Sequence, residues 1–422
     1  MRTTLPSNAA SLDPGDPRGF LRSLLAIALD AVNPAARMGD CLPEPPKGRT
    51  LVLGAGKASA LMAEALEALW PGKLSGEVVV PDGYERPLRR IRVETAGHPV
   101  PDARSAAAAR RALAQAAELG SDDLLIALIS GGGSALWCAP RGVAREEKAD
   151  LLNALMSAGA PIGDLNAVRG ALSDIKAGGL ARAAFPARLA TFVISDVPGD
   201  DPALVASGPT VPGPARDPAA ILQRWNVPPP ARWPAQAEGE AARGPVRLIG
   251  SAREALAAAS RAAERAGVNV EILGEAIEGD AETVARDHAR KIRAIPAAEG
   301  PLLLLSGGEV TAPAPAGSGR GGPNTHYALA LALALDRAPG IFALAADTDG
   351  LDGRAEGAGA YVGPATLPRA VEAGLDPAAM LAGFDSASLF DDLGDKIITG
   401  PTGVNVTDFR AILLNQRFIN RD

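Results

Sequence analysis

Apolar runs that end in glycine-containing loops recur along the chain, and helical patterns follow several of them. The run TLVLGAGKASALMAEALEAL predicts a strand, a glycine turn and a helix, and LLIALISGGGSAL repeats this scheme. Apolar residues at intervals of three and four predict helices in FLRSLLAIALDAV and AREEKADLLNALMSAGAP. Strands that alternate with helices favour parallel pairing with right-handed crossovers. The pattern therefore predicts an α/β layered fold.

The length and one proline-rich stretch divide this pattern into two domains. A chain of 422 residues exceeds one ordinary hydrophobic core. Residues 212–245 are rich in Pro, Ala and Arg, so they predict a linker or a surface excursion. We predict a larger domain over residues 18–245, extending at most to about 295, and a smaller one over residues 300–415.

Charge and cysteine content exclude several classes of function. The formal charge is 42 minus 49, or −7, so there is no basic excess to neutralise nucleic acid or an anionic membrane. Cys41 and Cys138 are too few for a disulfide framework or a zinc cluster. No apolar stretch is long enough to span a bilayer. We expect a cytoplasmic protein that acts on a small-molecule substrate. The sequence leaves open whether the protein forms a homodimer.

Polar loops follow the predicted strands, and in parallel sheets such loops line the ligand crevice. In chain order they contain Gly54, Gly56 and Lys57; Ser130, Gly131, Gly132 and Ser134; Asp196 and Asp200; Ser306, Gly307, Gly308 and Glu309; Asp349; and Thr402 and Asn405. Glycine lets backbone N–H groups approach phosphate or carboxylate oxygens. Aspartate supplies a Mg²⁺ ligand or a base for a hydroxyl group. Together these groups suit phosphoryl transfer.

Each loop also has a purely structural interpretation. The glycines of GAGKA can simply allow a tight turn from strand to helix, and Asp196 and Asp200 can cap a helix. The loop DTDGLDG lacks the terminal Glu of a calcium loop. His98, His288 and His326 are scattered, so we do not expect a histidine metal site.

One segment combines basic and hydrogen-bonding residues at helical spacing. In LNAVRGALSDIKAGGLA, Asn166, Arg169, Ser173 and Lys176 follow one another at offsets of three, four and three. If the segment is helical, these four side chains share one face. Because arginine presents a fixed fork of donors to carboxylates, that face suits a small acidic substrate.

Taken together, the motifs resemble the glycerate 2-kinase family, also called class II glycerate kinases, whose C-terminal part is the MOFRL domain. The matching stretches are LGAGKASA, AGHPVPD, ISGGGSAL, LNAVRGALSDIKAGGLA, ISDVPGDDPALVASGPTV, LSGGEVTAPAPAGSGRGGPN, AADTDGLDG and ITGPTGVNVTD. They occur in the family's order, from about residue 51 to 410. The resemblance implies ATP- and Mg²⁺-dependent phosphorylation of D-glycerate to 2-phosphoglycerate. It also implies a larger Rossmann-like α/β/α domain, a smaller α/β MOFRL domain and an active site in the cleft between them.

The resemblance carries roles to individual residues. Lys57 looks like the family's essential lysine, and Arg320 in the GRGG loop is similar to a catalytic arginine of this region. The chain departs from the common GRGGRNQEF pattern by reading GRGGPNTHY, so Pro323 leaves it open whether Arg320 replaces a missing arginine.

The hypothesis that follows divides the motifs among substrate, ATP and metal. The glycerate carboxylate is held by Lys57 or Arg169 with the SGGGS loop, and Asp196 orients or deprotonates the hydroxyl group. Residues assigned to substrate are Ser130, Gly131, Gly132, Ser134, Asn166, Arg169 and Lys176. Residues assigned to ATP are Gly54, Gly56, Ser306, Gly307, Gly308, Glu309, Gly321, Asn324, Thr402 and Asn405. Asp349 and Glu309 are the candidate Mg²⁺ ligands.

Two rival functions remain at this point. GAGKA after a strand is a partial dinucleotide signature, with Asp82 placed to bind a ribose, so an NAD(P)H-dependent hydroxypyruvate reductase is the main alternative. Ser59 or Ala60 stands where the third glycine of that fingerprint belongs. The second rival is a non-catalytic sensor of sugar acids, which the many acidic loops disfavour.

Overall fold

The chain forms two compact units that differ from the predicted domains. The structure, a computed structural model, describes residues 12–213, 216–231, 233–234, 239–296 and 300–415. The continuous unit is Pro34–Gly250, and the split unit joins the residues up to Asn33 with those from Ser251 onward. The first helix of the split unit is α1 (Pro17–Ala31). The units change near residue 250, close to the predicted end of the larger domain at residue 245, whereas the smaller domain was predicted to begin only at residue 300.

The continuous unit is built on a six-stranded parallel sheet. Its strands are β1 (Thr50–Ala55), β2 (Ser75–Pro81), β3 (Ile91–Ala96), β4 (Leu124–Ile129), β5 (Arg188–Ile194) and β6 (Val246–Gly250). Their order is β3-β2-β1-β4-β5-β6, and every residue of β1 and β4 is buried. Complete burial is typical of parallel strands that are covered on both faces. The Rossmann-like prediction is confirmed, and the strand order reverses between β1 and β4, where such sheets bind ligands.

The helices of this unit connect its strands. They are α2 (Pro34–Arg37), α3 (Ser59–Leu69), α4 (Ala103–Ala117), α5 (Gly133–Leu136), α6 (Arg145–Ser157), α7 (Ile162–Ala171), α8 (Gly179–Ala183) and α9 (Pro218–Arg224). Short 3₁₀ turns occur at Gly39–Cys41, Pro198–Asp200 and Val205–Ser207. Helix α4 begins at a capping box in which Asp102 and Ser105 bond each other's backbone N–H groups.

Two local predictions in this unit are wrong. Helix α7 ends at Ala171, so Ser173 and Lys176 lie beyond it and cannot share a helical face with Asn166 and Arg169. The predicted linker over 212–245 contains α9, although residues 214–215, 232 and 235–238 lie outside the described residues. Side chains of α9 pack into an apolar cluster with α6 and α7, so this part of the segment belongs to the core.

The split unit has a mixed sheet. Its strands are β7 (Asn269–Gly274), β8 (Gly279–Asp280), β9 (Leu302–Gly308), β10 (Val310–Thr311), β11 (Ile341–Asp347), β12 (Gly359–Val362), β13 (Lys396–Ile397) and β14 (Asp408–Leu414). Six of them form a sheet in the order β13-β12-β11-β14-β9-β7, and β8 pairs with β10. The expectation of parallel pairing is wrong here, because β14 inserts between β9 and β11 and runs antiparallel to both.

Helices of the split unit explain the position of the boundary. They are α1 with α10 (Ala252–Arg265), α11 (Ala281–Ala294), α12 (Pro323–Leu335), α13 (Thr366–Glu372), α14 (Pro377–Ala382) and α15 (Ser386–Leu393). Strand β7 pairs in parallel with β9, and α10 packs against α1 and β9. Residues 251–296 therefore join the second sheet before the predicted boundary is reached.

Candidate functional site

The loops after β1 and β4 are hydrogen-bonded to each other. The Ser130 hydroxyl accepts the Ala58 N–H at 3.0 Å, and Lys57 N–H donates to the Gly131 carbonyl at 2.8 Å. Gly56 N–H donates to the end of β2 at 3.1 Å. Three N–H groups at the start of the turn into α3 are therefore occupied within the protein. They are not available to a phosphate, which favours the structural interpretation of the GAGKA loop.

Close packing explains why glycine occurs at positions 54 and 56. A Cβ on Gly54 would lie 2.7 Å from the Leu128 carbonyl oxygen. A Cβ on Gly56, whose φ is +139°, would lie 2.1 Å from Ser130 Oγ. Only glycine combines that backbone conformation with such an approach. These two glycines hold the strand ends of the sheet together.

Replacing Gly56 by alanine should destabilise the protein by about 3 kcal/mol, because strain at positive φ and overpacking add. Gly83→Ala is a matched control, since Gly83 also has a positive φ, +90°, but a Cβ there would have no neighbour within 4 Å. The control should cost about 1 to 2 kcal/mol. Urea denaturation measures both values. Equal losses in the two variants would contradict the packing argument.

A pocket of about 530 Å³ opens beside the SGGGS loop in the continuous unit. Residues from β3–α4, α5, α6 and α7–α8 line it, including His98, Gly132, Ser134, Lys148, Arg169 and Lys176. The N–H groups of Gly131 and Gly132 donate to no acceptor among the residues that the structure describes. Four of the predicted substrate residues thus surround one pocket.

Three cations form the polar side of this pocket. Lys148 and Lys176 are only 4% and 3% exposed, and Arg169 is half-buried. Lys176 Nζ donates to the Ser134 carbonyl at 2.7 Å, and Lys148 Nζ donates to the Arg169 and Leu172 carbonyls at 3.0 and 2.7 Å. Within the described part of the chain, none of the three cations forms an ion pair with a carboxylate.

The missing counter-charge has electrostatic consequences. Burial lowers the pKa of Lys148 to about 8 and lowers the pKa of Lys176 well below its usual value. Burial also lowers the pKa of Arg169. Because desolvation disfavours the charged form of each group, a bound anion would raise these pKa values again. The pocket is therefore suited to a small acid.

A chain of hydroxyl and amide groups orders the same pocket. Ser134 Oγ lies 2.8 Å from Ser207 Oγ, and the Ser207 hydroxyl donates to Asn166 Oδ1 at 3.0 Å. Asn166 Oδ1 also accepts from Arg169 Nη1 at 2.7 Å. Arg169 is therefore oriented by its neighbour on α7. Asn166, Arg169 and Lys176 do meet, but through the loop after α7 rather than along one helix.

Lys57 borders the SGGGS loop, whereas Asp196 does not line the pocket in the described part of the chain. A Cβ on Gly132 would lie 3.6 Å from Lys57 Cγ and 2.9 Å from His98 Nε2, so both side chains border the SGGGS loop. Asp196 lies two residues after the end of β5 and is half-buried, and Asp200 lies in the 3₁₀ turn that follows. Asp196 is not among the described residues that line the pocket.

The predicted ATP loops of the split unit meet at one edge of its sheet. Asp347 at the end of β11 pairs with Asp408 at the start of β14, which pairs with Gly308 at the end of β9. Ser306, Gly307 and exposed Glu309 lie on the same edge. Predicted residues of the neighbouring loops are Asp349, Thr402 and Asn405.

Internal hydrogen bonds occupy much of this edge. The Thr402 hydroxyl donates to the Thr348 carbonyl at 2.6 Å, and Asn405 Oδ1 accepts the Thr407 N–H at 3.4 Å. Asp349 Oδ1 accepts the Leu351 N–H at 2.8 Å, and its carboxylate is almost fully buried. These bonds within the protein hold the loops in place without a ligand.

The start of α12 is part of a buried polar network. Asn324 Nδ2 donates to Asp408 Oδ1 at 2.6 Å, and Asp408 is ion-paired with Arg410. The Asn324 and Thr325 N–H groups donate to the two oxygens of Asp352, both at 2.8 Å. Burial raises the pKa of Asp352 to about 6. Asn324 is therefore a structural residue of this helix start.

In the GRGG loop, Arg320 is bonded to acidic residues of the same unit. The Arg320 guanidinium is exposed and pairs with Asp391 at 2.9 Å, and its backbone N–H donates to Asp385. A Cβ on Gly321 would lie 2.8 Å from Ser386 Oγ. Pro323 takes the first turn of α12, a position where proline is favoured. The proline in GGPNT therefore starts a helix.

Residues that could hold a cation do not converge in a ready-made site. Among the residues described by the structure, no group of three His, Cys, Asp or Glu side chains could hold a metal ion. Mg²⁺ in phosphoryl-transfer enzymes keeps several waters and needs only one or two carboxylates besides the substrate phosphates. Asp349 and Glu309 were predicted as such carboxylates.

Sequence reasoning missed Lys148 and His98, which line the pocket, and Ser207, which is hydrogen-bonded to Ser134 and Asn166. Lys148 was hidden in a helix predicted from its amphipathic pattern, and Ser207 belongs to the stretch ISDVPGDDPALVASGPTV but was assigned no role. His98 was set aside as a scattered histidine, although it belongs to the AGHPVPD stretch. A lysine on the apolar side of α6 was the available signal, because lysine is rarely buried without a partner.

Family models match most of the chain. A model described as a domain of unknown function, DUF4147, matches residues 20–237, and the MOFRL family model matches residues 302–408. A protein of Agrobacterium vitis, provisionally named a hydroxypyruvate reductase, is 46% identical over 94% of each chain. The D-glycerate 2-kinase of Thermotoga maritima is 32% identical and covers 94% of this chain and 98% of its own. Human glycerate kinase is 36% identical over 94% and 93% of the two chains.

A solved structure has the same fold. The crystal structure of a glycerate kinase from Thermotoga maritima superposes with a TM-score of 0.81 at 31% sequence identity. The match covers 93% of this chain and 97% of that one.

Proposed function

The chain belongs to the glycerate kinase family with DUF4147 and MOFRL domains, and from this premise we propose that it transfers a phosphoryl group from ATP to the 2-hydroxyl of D-glycerate. The resemblance predicted from the order of the motifs is confirmed. The observation that carries the proposal for this chain is the pocket with Lys148, Arg169 and Lys176, whose buried positive groups have no carboxylate partner within the described residues.

We assign the carboxylate of glycerate to the cationic side of this pocket. A bound carboxylate would restore the charge balance that burial disturbs, and the N–H groups of Gly131 and Gly132 offer further donors. Ser134 and Asn166 orient the acid through their hydrogen-bonded chain. Binding at fixed donors supplies the positioning on which phosphoryl transfer depends.

The remaining catalytic roles keep their proposed assignments. Lys57 borders the SGGGS loop and stabilises negative charge near the transferred group. Asp196, at the carboxyl end of β5, orients or deprotonates the substrate hydroxyl group. To act on a phosphate, the Arg320 guanidinium would have to leave Asp391.

ATP with Mg²⁺ is the proposed phosphoryl donor. Ser306, Gly307, Gly308, Gly321, Thr402 and Asn405 are the candidate residues for ATP in the split unit. Asp349 and Glu309 are the candidate carboxylates for Mg²⁺, which neutralises phosphate charge when bound. Gly54, Gly56 and Asn324 are better explained by packing and internal hydrogen bonds than by contact with ATP.

The protein should release ADP in a glycerate-dependent reaction. A coupled ADP assay with glycerate, beside NADH oxidation with hydroxypyruvate, separates the kinase from the reductase. The phosphorus NMR spectrum of the product identifies the phosphorylated hydroxyl group. Hydroxypyruvate-dependent NADH oxidation without glycerate-dependent ADP release would contradict the kinase proposal.

Two details of the structure weigh against the reductase. The first N–H groups of the β1–α3 turn, which would face a dinucleotide pyrophosphate, are already hydrogen-bonded within the protein. Asp82, the candidate ribose ligand, is bound by both terminal nitrogens of Arg104 at 2.7 and 2.9 Å. The kinase therefore remains the better explanation of this chain.

We propose a cytoplasmic location for this activity. Cys41 and Cys138 are both free thiols, which suits a reducing compartment. In the described part of the chain no helix has the length and apolarity to cross a membrane.

A further inference from the structure

We infer that Lys148 is a positioning residue of the substrate site, which holds the end of α7 in place and provides a positive charge for the substrate carboxylate. The inference rests on the proposed function and adds a residue that no motif singled out. Lys148 lies on α6, lines the pocket, and is 4% exposed. A lysine that is buried to this extent normally has an anionic partner.

Two hydrogen bonds fix the side chain of Lys148 against α7. Its Nζ donates to the Arg169 carbonyl at 3.0 Å and to the Leu172 carbonyl at 2.7 Å. Helix α7 ends at Ala171, so these carbonyls belong to its last turn and to the residue after it. Carbonyl groups at a helix end lack helical partners and carry partial negative charge. Lys148 thus stabilises the turn that carries Arg169.

These bonds leave the positive charge of Lys148 without neutralisation by a carboxylate. The groups that influence it electrostatically are Cys138, Arg141, Arg169 and Asp174, and Lys176 shares its pocket. Asp174 is half exposed and lies 4.0 Å from Arg141, and Glu146 on α6 is paired with Arg145. Arginine and lysine therefore outnumber carboxylates around Lys148. A substrate carboxylate would correct this imbalance.

The same arrangement couples substrate binding to a proton. Because the pKa of Lys148 is lowered to about 8, the free enzyme loses this charge as the pH rises through that value. A bound carboxylate favours the protonated form, so the substrate affinity should fall as the pH rises above about 8. Arginine in the same place would stay charged over this range.

The test compares Lys148→Met and Lys148→Arg with the natural enzyme, measuring KM and kcat for glycerate at saturating ATP from about pH 6.5 to 9.5. Loss of one charge-assisted contact should raise the KM of Lys148→Met at pH 7 by about 10- to 100-fold, with a smaller change in kcat. Lys148→Arg should restore most of the affinity and flatten the rise of KM above about pH 8. Lys73→Met, at an exposed lysine of the same unit that does not line this pocket, is the matched control and should behave like the natural enzyme.

Each outcome decides the inference. A Lys148→Met enzyme with an unchanged KM overturns it, and so does a Lys148→Arg enzyme that keeps the natural pH profile. If Lys148→Met fails to fold, the pH profile of Lys148→Arg alone decides. If the natural enzyme shows no glycerate-dependent ADP release, the proposed function is wrong. This result is distinguishable from failure of the Lys148 inference, because it is measured on the natural enzyme and not on the variants.

Discussion

Lys176→Met should lower kcat/KM for glycerate by about 100-fold or more while leaving the fold intact. Lys176 is 3% exposed, and its Nζ bonds the Ser134 carbonyl inside the pocket. Removing a charged donor that contacts a bound carboxylate costs about 1.5 to 3 kcal/mol, and loss of the buried positive potential adds to this. Methionine has a similar length and is apolar, so the pocket keeps its shape.

The stability of this variant provides an independent check. Burial lowers the pKa of Lys176 in the folded protein. Below the pKa that this amine has in the unfolded chain, the proton therefore binds more favourably to the unfolded chain than to the folded protein. Stability contributed by this group is therefore complete only at high pH and is lost as the pH falls through the folded pKa. Methionine removes the penalty, so without substrate Lys176→Met should melt at the same or a higher temperature near pH 7. Lys47→Met, at an exposed lysine, controls for loss of charge alone. Activity within about threefold of the natural enzyme would refute the assignment.

Arg410→Met should destabilise the protein by about 3 to 5 kcal/mol, because it leaves a buried carboxylate without its partner. Arg410 is 1% exposed and is ion-paired with Asp408, and its Nη2 also donates to the Gly308 carbonyl at 3.1 Å. Asp408 additionally accepts from Asn324, so the network joins β14 to the start of α12. The midpoint of urea denaturation measures the loss.

Two companion variants isolate the cause of this effect. Adding Asp408→Asn to Arg410→Met removes the stranded charge and should recover part of the lost stability. Arg320→Met breaks an exposed pair with Asp391 and should cost less than about 1 kcal/mol. An equal loss for Arg320→Met and Arg410→Met would mean that burial does not determine the cost.

The first sheet could be predicted from local pattern because its strands read as continuous apolar runs with glycine turns. The second sheet could not. The runs before Gly307 and before Asp347 look like those of the first sheet, and they do lie parallel to each other. What separates them is β14, which comes from the far end of the chain. Pairing at such long range leaves no local signal in the sequence.

The substrate pocket shows the same limit at the level of single residues. Offsets of three and four predicted one helical face for Asn166, Arg169, Ser173 and Lys176, but α7 ends at Ala171. Arg169 and Lys176 line the same pocket because of a turn in which Ala177 has a φ of 49° and Gly178 a φ of +79°. Ser207 and Lys148 join them from distant segments. Conversely, Gly54 and Gly56 carry a motif that suggests anion binding, whereas their neighbours show close packing. Motif spacing alone does not distinguish these two uses of glycine.

The discontinuity of the split unit has a consequence for synthesis of the chain on the ribosome. Helix α1 buries Phe20, Leu21 and Leu24, yet its partner α10 begins only at Ala252. Translation of the intervening residues 34–250 takes on the order of 10 to 40 s at about 5 to 20 residues per second. During that interval α1 lacks α10, β11 and β14, the elements against which it packs, while the continuous unit can already complete its own sheet. Nascent chains should therefore expose the apolar face of α1, which chaperones can bind until the residues from Ser251 onward have left the ribosome.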